Sequence, residues 1–121
     1  MIAILDYGSG NLRSAQRAFA TCGLDVVVTA DRAVALEADG LVVPGVGAFA
    51  ACMQGLQSVD GGAIIRERIT NERPVLGICI GMQILFQEGS EHGENGNHAG
   101  VGVWDGEVSR LDAPILPHMG W

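Results

Sequence analysis

The sequence contains no lysine, and its seven cations are all arginines, scattered singly along the chain. Without a basic stripe there is no electrostatic footprint for a nucleic acid, so that partner class is excluded. Also missing is any apolar run near the roughly 20 residues a membrane helix needs, so no membrane partner is expected. The opening Met1-Ile-Ala-Ile-Leu-Asp6 has no basic segment and no small-residue cleavage site; it reads as a buried strand rather than a leader, and a cytoplasmic location is expected. Three cysteines, Cys22, Cys52 and Cys79, form no C-x-x-C pair. Their odd number and wide spacing argue against both a disulfide framework and a zinc site. No metal and no cofactor are expected. Internal repeats and low-complexity tracts are absent as well.

What is present fits one compact α/β domain. The 121 residues are 48% hydrophobic and carry a net charge of −7, enough for one real core and too few for two. Four continuous runs rich in Val, Ile and Leu recur at Ile2–Leu5, Val26–Thr29, Leu41–Val43 and Val75–Ile78, as expected of parallel strands covered on both faces. Helical stretches lie between them. Asn11 can cap one that places Leu12, Ala15, Phe19 and Cys22 on one side and stops at Gly23. Asp31–Asp39 offers a shorter one. Asp60 can cap another, with Ile64, Ile65 and Ile69 facing inward and Pro74 beyond its end. The alternation predicts a three-layer, mostly parallel sheet with ligands at the carboxyl ends of the strands. Beyond Phe86 the polar, Gly-rich stretch Glu88–Gly102 reads as a long surface loop, and Val101–Leu111 as two short strands turning at Asp105-Gly106. Four parallel strands and a hairpin make an unfinished doubly wound sheet, so residues 1–121 are expected to be the N-terminal part of a single domain.

The strongest chemical signal is Val75-Leu-Gly-Ile-Cys-Ile-Gly-Met-Gln83. A strand ending in Gly77-x-Cys79-x-Gly81 and running into a helix is the cysteine form of a nucleophile elbow. Two small residues permit a turn that lifts the sulfur above the sheet. A helix start beneath it favours thiolate, and the N–H of Ile80 points where a tetrahedral oxyanion would form. Cys22 and Cys52 lack this setting and are expected to be small buried hydrophobes. A second segment, Val43-Pro-Gly-Val-Gly-Ala-Phe49, also follows a strand. Gly45, Val46 and Gly47 bring backbone N–H groups to the same edge, where one rotated peptide would complete an oxyanion hole. The third, Asp6-Tyr-Gly-Ser-Gly-Asn11, is a Gly-rich loop opening a helix but lacks the third glycine of the dinucleotide fingerprint. A cysteine hydrolase also needs a base. His92, His98 and His118 show no metal spacing, and none of them is assigned as that base.

These residues together resemble the class I (triad-type) glutamine amidotransferases, whose fold is flavodoxin-like. Four segments carry the likeness: Asp6-Tyr-Gly-Ser-Gly-Asn-Leu12, Pro44-Gly-Val-Gly-Ala-Phe49, Gly77-Ile-Cys-Ile-Gly-Met-Gln-Ile-Leu-Phe86 and Pro117-His-Met-Gly-Trp121. The elbow alone resembles the broad superfamily, whereas the Pro-Gly-Val-Gly run and the terminal Pro-His-Met-Gly-Trp together are most similar to the glutaminase subunits of histidine biosynthesis. The resemblance implies that Cys79 attacks the side-chain amide of glutamine, that Gly45-Val46-Gly47 is the oxyanion strand, and that Gln83 and Glu91 hold the substrate. It implies that Asn11 and Trp121 face a (β/α)8-barrel cyclase subunit in a heterodimer, to which ammonia passes. The family's catalytic His and Glu lie downstream of the Pro-His-Met-Gly-Trp segment. The 121 residues alone are therefore expected to lack glutaminase activity, with their sheet edge open to association. Two other readings stand beside this one: another elbow-cysteine enzyme (DJ-1-like) on a similar sheet, and a non-catalytic flavodoxin-like module that binds a partner.

Overall fold

The computed structural model describes residues 1–90 and 97–120. The first strand, β1 (Ile2–Leu5), leads through a Gly-rich loop into α1 (Leu12–Thr21), where the Asn11 side chain accepts a hydrogen bond from the Ser14 N–H at 3.1 Å. This is the expected N-cap. Next come β2 (Val26–Thr29) and α2 (Arg32–Glu37), the latter capped by Asp31, which accepts from Val34 N–H at 3.0 Å. Then follow β3 (Gly40–Gly45), α3 (Phe49–Ser58), α4 (Gly61–Thr70), β4 (Val75–Cys79) and the single turn α5 (Ile80–Gln83). Strands β1 to β4 form one parallel sheet in the order β2-β1-β3-β4. The order reverses direction between β1 and β3, which is where a sheet of this kind leaves a crevice at its carboxyl edge.

The two faces of the sheet are covered unequally. Ala3, Leu5, Leu41 and Val43 point to one face and pack with Ala35 of α2, Cys52 and Leu56 of α3, and Ile64 and Ile65 of α4 into the main core. Right-handed crossovers put α1 on the other face. There α1 buries no residue fully, and Leu76 and Ile78 of β4 remain 50% and 39% exposed. The expected inward stripe of α1 is therefore only half realised: Leu12, Ala15 and Phe19 are half-buried and Cys22 is exposed.

A buried arginine ties α2 to the start of β4. Arg68, fully enclosed, donates to the carbonyls of Ala35 at 2.9 Å, Ala38 at 2.8 Å and Pro74 at 2.9 Å. It satisfies the open carbonyls at the C-terminal end of α2, which a helix of six residues cannot satisfy itself. In α4 Ile64 and Ile65 face the core as the spacing predicts, but Ile69 is 39% exposed because Arg68 occupies the inward position of that turn. Asp60 precedes α4 in a left-handed conformation and makes no side-chain cap.

Three further expectations are corrected. Helix α3 was not anticipated in the segment after Ala48. The stretch Glu88–Gly102 is not simply a loop: β5 (Phe86–Gly89) enters it and β6 (His98–Ala99) pairs antiparallel with β5. The proposed hairpin at Asp105-Gly106 does not form. Those residues lie inside one strand, β7 (Trp104–Val108), which pairs parallel with β5. The Trp104 ring meets Phe86 edge to face at 5.2 Å, so pairing with β5 replaces a local turn.

Candidate functional site

Three segments meet at the carboxyl edge of the sheet, as the strand assignments predict. β1 feeds the Asp6–Asn11 loop, β3 feeds Gly45–Ala48, and β4 ends in Cys79, with Gly45 and Cys79 as register partners on neighbouring strands.

The elbow is built by close backbone contact. A Cβ on Gly81 would lie 1.9 Å from the Val43 carbonyl oxygen, and one on Gly77 would lie 2.5 Å from Met82 Cα. Neither position has room for a side chain, which explains the bracketing glycines. The residue between them pays in conformation. Cys79 has φ 58° and ψ −124°, a region that L-residues other than glycine avoid. Holding it there costs on the order of 1–3 kcal/mol, and such strain concentrates at active sites. The Cys79 side chain is exposed. Ile80 occupies the first position of α5, where a backbone N–H has no intrahelical acceptor. Because α5 is one turn long, it aligns fewer peptide dipoles beneath the sulfur than a longer helix would. Gln83 sits half-buried at the last position of α5, one helical turn beyond Cys79.

The neighbouring strand end is tied down instead. Tyr7, buried under it, donates its hydroxyl hydrogen bond to the Pro44 carbonyl oxygen. Burial is the main reason its phenol resists ionisation to well above the ordinary tyrosine range. A Cβ on Gly45 would strike Gly81 N at 2.5 Å and Tyr7 Oη at 2.8 Å, so this residue is glycine because two backbones and a ring converge there. Val46 is engaged by Ser9: the Val46 N–H donates to Ser9 Oγ at 3.0 Å, and Ser9 Oγ is 3.0 Å from the Val46 carbonyl oxygen. Cys52, fully buried in α3, lies with its sulfur 3.2 Å from Ser9 Oγ and donates to the Val46 carbonyl at 3.3 Å. Cys52 is thus buried as expected, yet it is not merely a small hydrophobe. Gly47 follows with φ 88° and open space around it.

The other predicted residues are more scattered. Asn11 is exposed and caps α1. Glu91, His92 and Trp121 lie outside the described residues. His98 is half-buried in β6 and His118 is exposed. Among the described residues, no hydrogen bond joins Cys79 to a histidine or a carboxylate. Sequence reasoning missed Ser9 and Cys52, whose partners lie 37 and 43 residues away in the chain. The only local signal was a serine in a Gly-rich loop.

A family model described as glutamine amidotransferase class-I matches residues 3–116. Among curated proteins, imidazole glycerol phosphate synthase subunit HisH of Corynebacterium glutamicum is 62% identical over 99% of this chain and 56% of its own. The subunit of the same name from Nocardia farcinica is also 62% identical over 99% of this chain and 56% of its own, and that of Mycobacterium tuberculosis is 61% identical over 99% and 57%. The chain therefore spans about 56% of the length of these relatives. A solved structure titled "Crystal structure of glutamine amidotransferase" superposes with TM-score 0.72 over 90% of this chain and 56% of that one, at 20% identity, a likeness of fold.

Proposed function

Because the chain belongs to the class-I glutamine amidotransferase family, we propose that it is the nucleophile-bearing part of a glutaminase that supplies ammonia to an imidazole glycerol phosphate synthase. The observation that carries this reading is the backbone of Cys79, held at φ 58° and ψ −124° at a strand end packed between glycines that admit no side chain. Such strain is retained where it aims a reactive group.

In this reading the Cys79 sulfur adds to the side-chain amide carbon of glutamine. The carbonyl electrons move onto oxygen, where the Ile80 N–H and the Gly45-Val46-Gly47 backbone stabilise them. Collapse of the adduct breaks the C–N bond, and the nitrogen leaves as ammonia after taking up a proton. Water then adds to the glutamyl thioester, releases glutamate and returns the thiol. Gln83 and Glu91 hold the substrate. Asn11 and Trp121 face a (β/α)8-barrel cyclase in a cytoplasmic heterodimer that receives the ammonia. The base and acid of the triad come from sequence that the longer relatives possess beyond the matched part. The 121-residue chain alone is accordingly expected to turn glutamine over negligibly.

Ammonia release from glutamine by the full-length protein with its cyclase tests this. Cys79→Ala is expected to lower kcat by at least 10³-fold while the protein stays folded. Persisting turnover would refute the assignment.

A further inference from the structure

The nucleophile turn is too short to hold itself. Helix α5 has four residues, and a single turn fixes more backbone dihedrals than its hydrogen bonds offset. Cys79 at its start is strained as well, and such a residue keeps its conformation only where the surroundings over-determine it. Part of that restraint comes from behind α5, from the stretch that follows β6. The Val101 N–H donates at 2.7 Å to the carbonyl of Ile84, the C-cap of α5, and the Val103 N–H donates to the Leu85 carbonyl at 2.8 Å. The N–H groups of Gly100 and Gly102 donate to the carbonyls of Gln87 and Phe86 at 2.8 Å and 3.2 Å. Ile84, Leu85 and Val101 are all buried, so a carbonyl that lost its donor there would have no water to replace it.

The same stretch bears on the start of α3. Phe49, the first residue of that helix and two positions beyond Gly47, is fully buried. Its ring lies against the backbone of Gly89, where a Cβ would come within 2.7 Å of it. Gly100 is more crowded still. A Cβ there would lie 2.1 Å from the Phe86 oxygen, 2.9 Å from the Ile84 oxygen and 3.1 Å from Phe49 Cζ. The first two atoms belong to the chain leaving α5, and the third to the helix that follows Gly45-Val46-Gly47. One glycine therefore sits where the far ends of the nucleophile turn and the oxyanion turn converge.

We propose that residues 100–103 are a buttress that sets the two halves of the site against each other, with Gly100 as the positioning residue common to both. The segment touches no reacting atom in this assignment. It acts on Cys79 through Ile84 and α5, and on the Gly45-Val46-Gly47 backbone through Phe49. Its effect on turnover rests on the glutaminase reading, whereas its effect on the elbow stands on the packing alone.

The test uses the full-length protein and two readouts: glutamine hydrolysis beside the cyclase, and the rate at which iodoacetamide alkylates Cys79 in the folded subunit. Gly100→Ala is expected to lower kcat about tenfold or more with KM within about twofold, because small misplacements of reacting groups are costly. It is also expected to slow alkylation several-fold, since the strained conformation is what presents the sulfur. Phe49→Leu reaches only the oxyanion side, so kcat is expected to fall while alkylation keeps its wild-type rate. Val101→Ala keeps the N–H but loses the packing that presses it against Ile84. It is expected to slow alkylation, and it tests the elbow side where Gly100→Ala does not fold. A glycine needed only for folding would lower thermal stability in Gly100→Ala and leave kcat and alkylation of the folded protein unchanged, which overturns the buttress. So does unaltered alkylation in Val101→Ala, or alkylation slowed as much by Phe49→Leu as by Gly100→Ala. Wild-type protein with no glutaminase activity even beside its cyclase would overturn the functional reading. The alkylation rates would still decide whether the segment holds the elbow.

Discussion

β3 and β4 are adjacent, parallel and end level with one another, but their carboxyl ends are held by opposite means. At the end of β3 the chain is held by side-chain hydrogen bonds: Tyr7 donates to the Pro44 carbonyl, and Ser9 and Cys52 bond Val46. At the end of β4 the chain is strained, with Cys79 in a conformation suited to glycine and held by pairing with β3 and by tight backbone packing of Gly77 and Gly81. The contrast separates two tasks. In the proposed roles, rigid, over-determined geometry suits a nucleophile, whereas the neighbouring strand end is held by a few side-chain hydrogen bonds.

The largest effect that would break this contrast comes from Gly81→Ala. Its Cβ would sit 1.9 Å from the Val43 oxygen, so the backbone must shift, and a loss of about 3 kcal/mol is expected in urea unfolding of the full-length protein. A neutral result would mean the elbow is loosely packed. Tyr7→Phe attacks the other strand end by leaving the buried Pro44 carbonyl without its donor, at an expected cost of about 1–2 kcal/mol.

Tyr7 also predicts a pH dependence. Burial raises its folded-state pKa above the ordinary value near 10. Between those two values the unfolded chain has lost the phenolic proton and the folded chain keeps it. Its contribution to stability is therefore complete below about pH 10 and declines as pH rises above it. Tyr7→Phe should flatten that alkaline decline. An equally steep decline in the variant would show that other groups cause it. The smallest expected effect sharpens the strain itself: Cys79→Gly should be more stable than Cys79→Ala by about 1 kcal/mol, because only glycine occupies that φ and ψ freely. Equal stabilities would mean the conformation is not strained.

Much of the sheet was legible in the sequence because a buried parallel strand must be apolar on both faces, and Ile2–Leu5 and Val26–Thr29 occur where their apolar runs place them. The elbow was legible for a similar reason: two backbones in contact leave glycine as the residue that fits. Helix α3 was hidden because it begins directly after a Gly-rich turn and contains Gly55, which sits there so that α3 can approach the Tyr7 carbonyl. Arg68 looked like one more scattered surface charge. Its burial depends on α2 ending with open carbonyls beside α4, a consequence of topology. The Asp105-Gly106 turn signal lost to strand pairing with β5 for the same kind of reason. Ser9 and Cys52 became partners only once β1 and β3 lay side by side.

The most direct test of Cys79 as a glutamine-directed nucleophile is alkylation of the full-length protein, with its cyclase, by a diazoketone analogue of glutamine. Arg32, Arg66 and Arg68 separate the three cysteines into different tryptic peptides, so mass spectrometry assigns the adduct without ambiguity. The expected result is one adduct on the peptide carrying Cys79, formed in step with loss of glutaminase activity and suppressed by added glutamine. Inactivation with the adduct on Cys22 or Cys52, or labelling of Cys79 that glutamine does not slow, would contradict it.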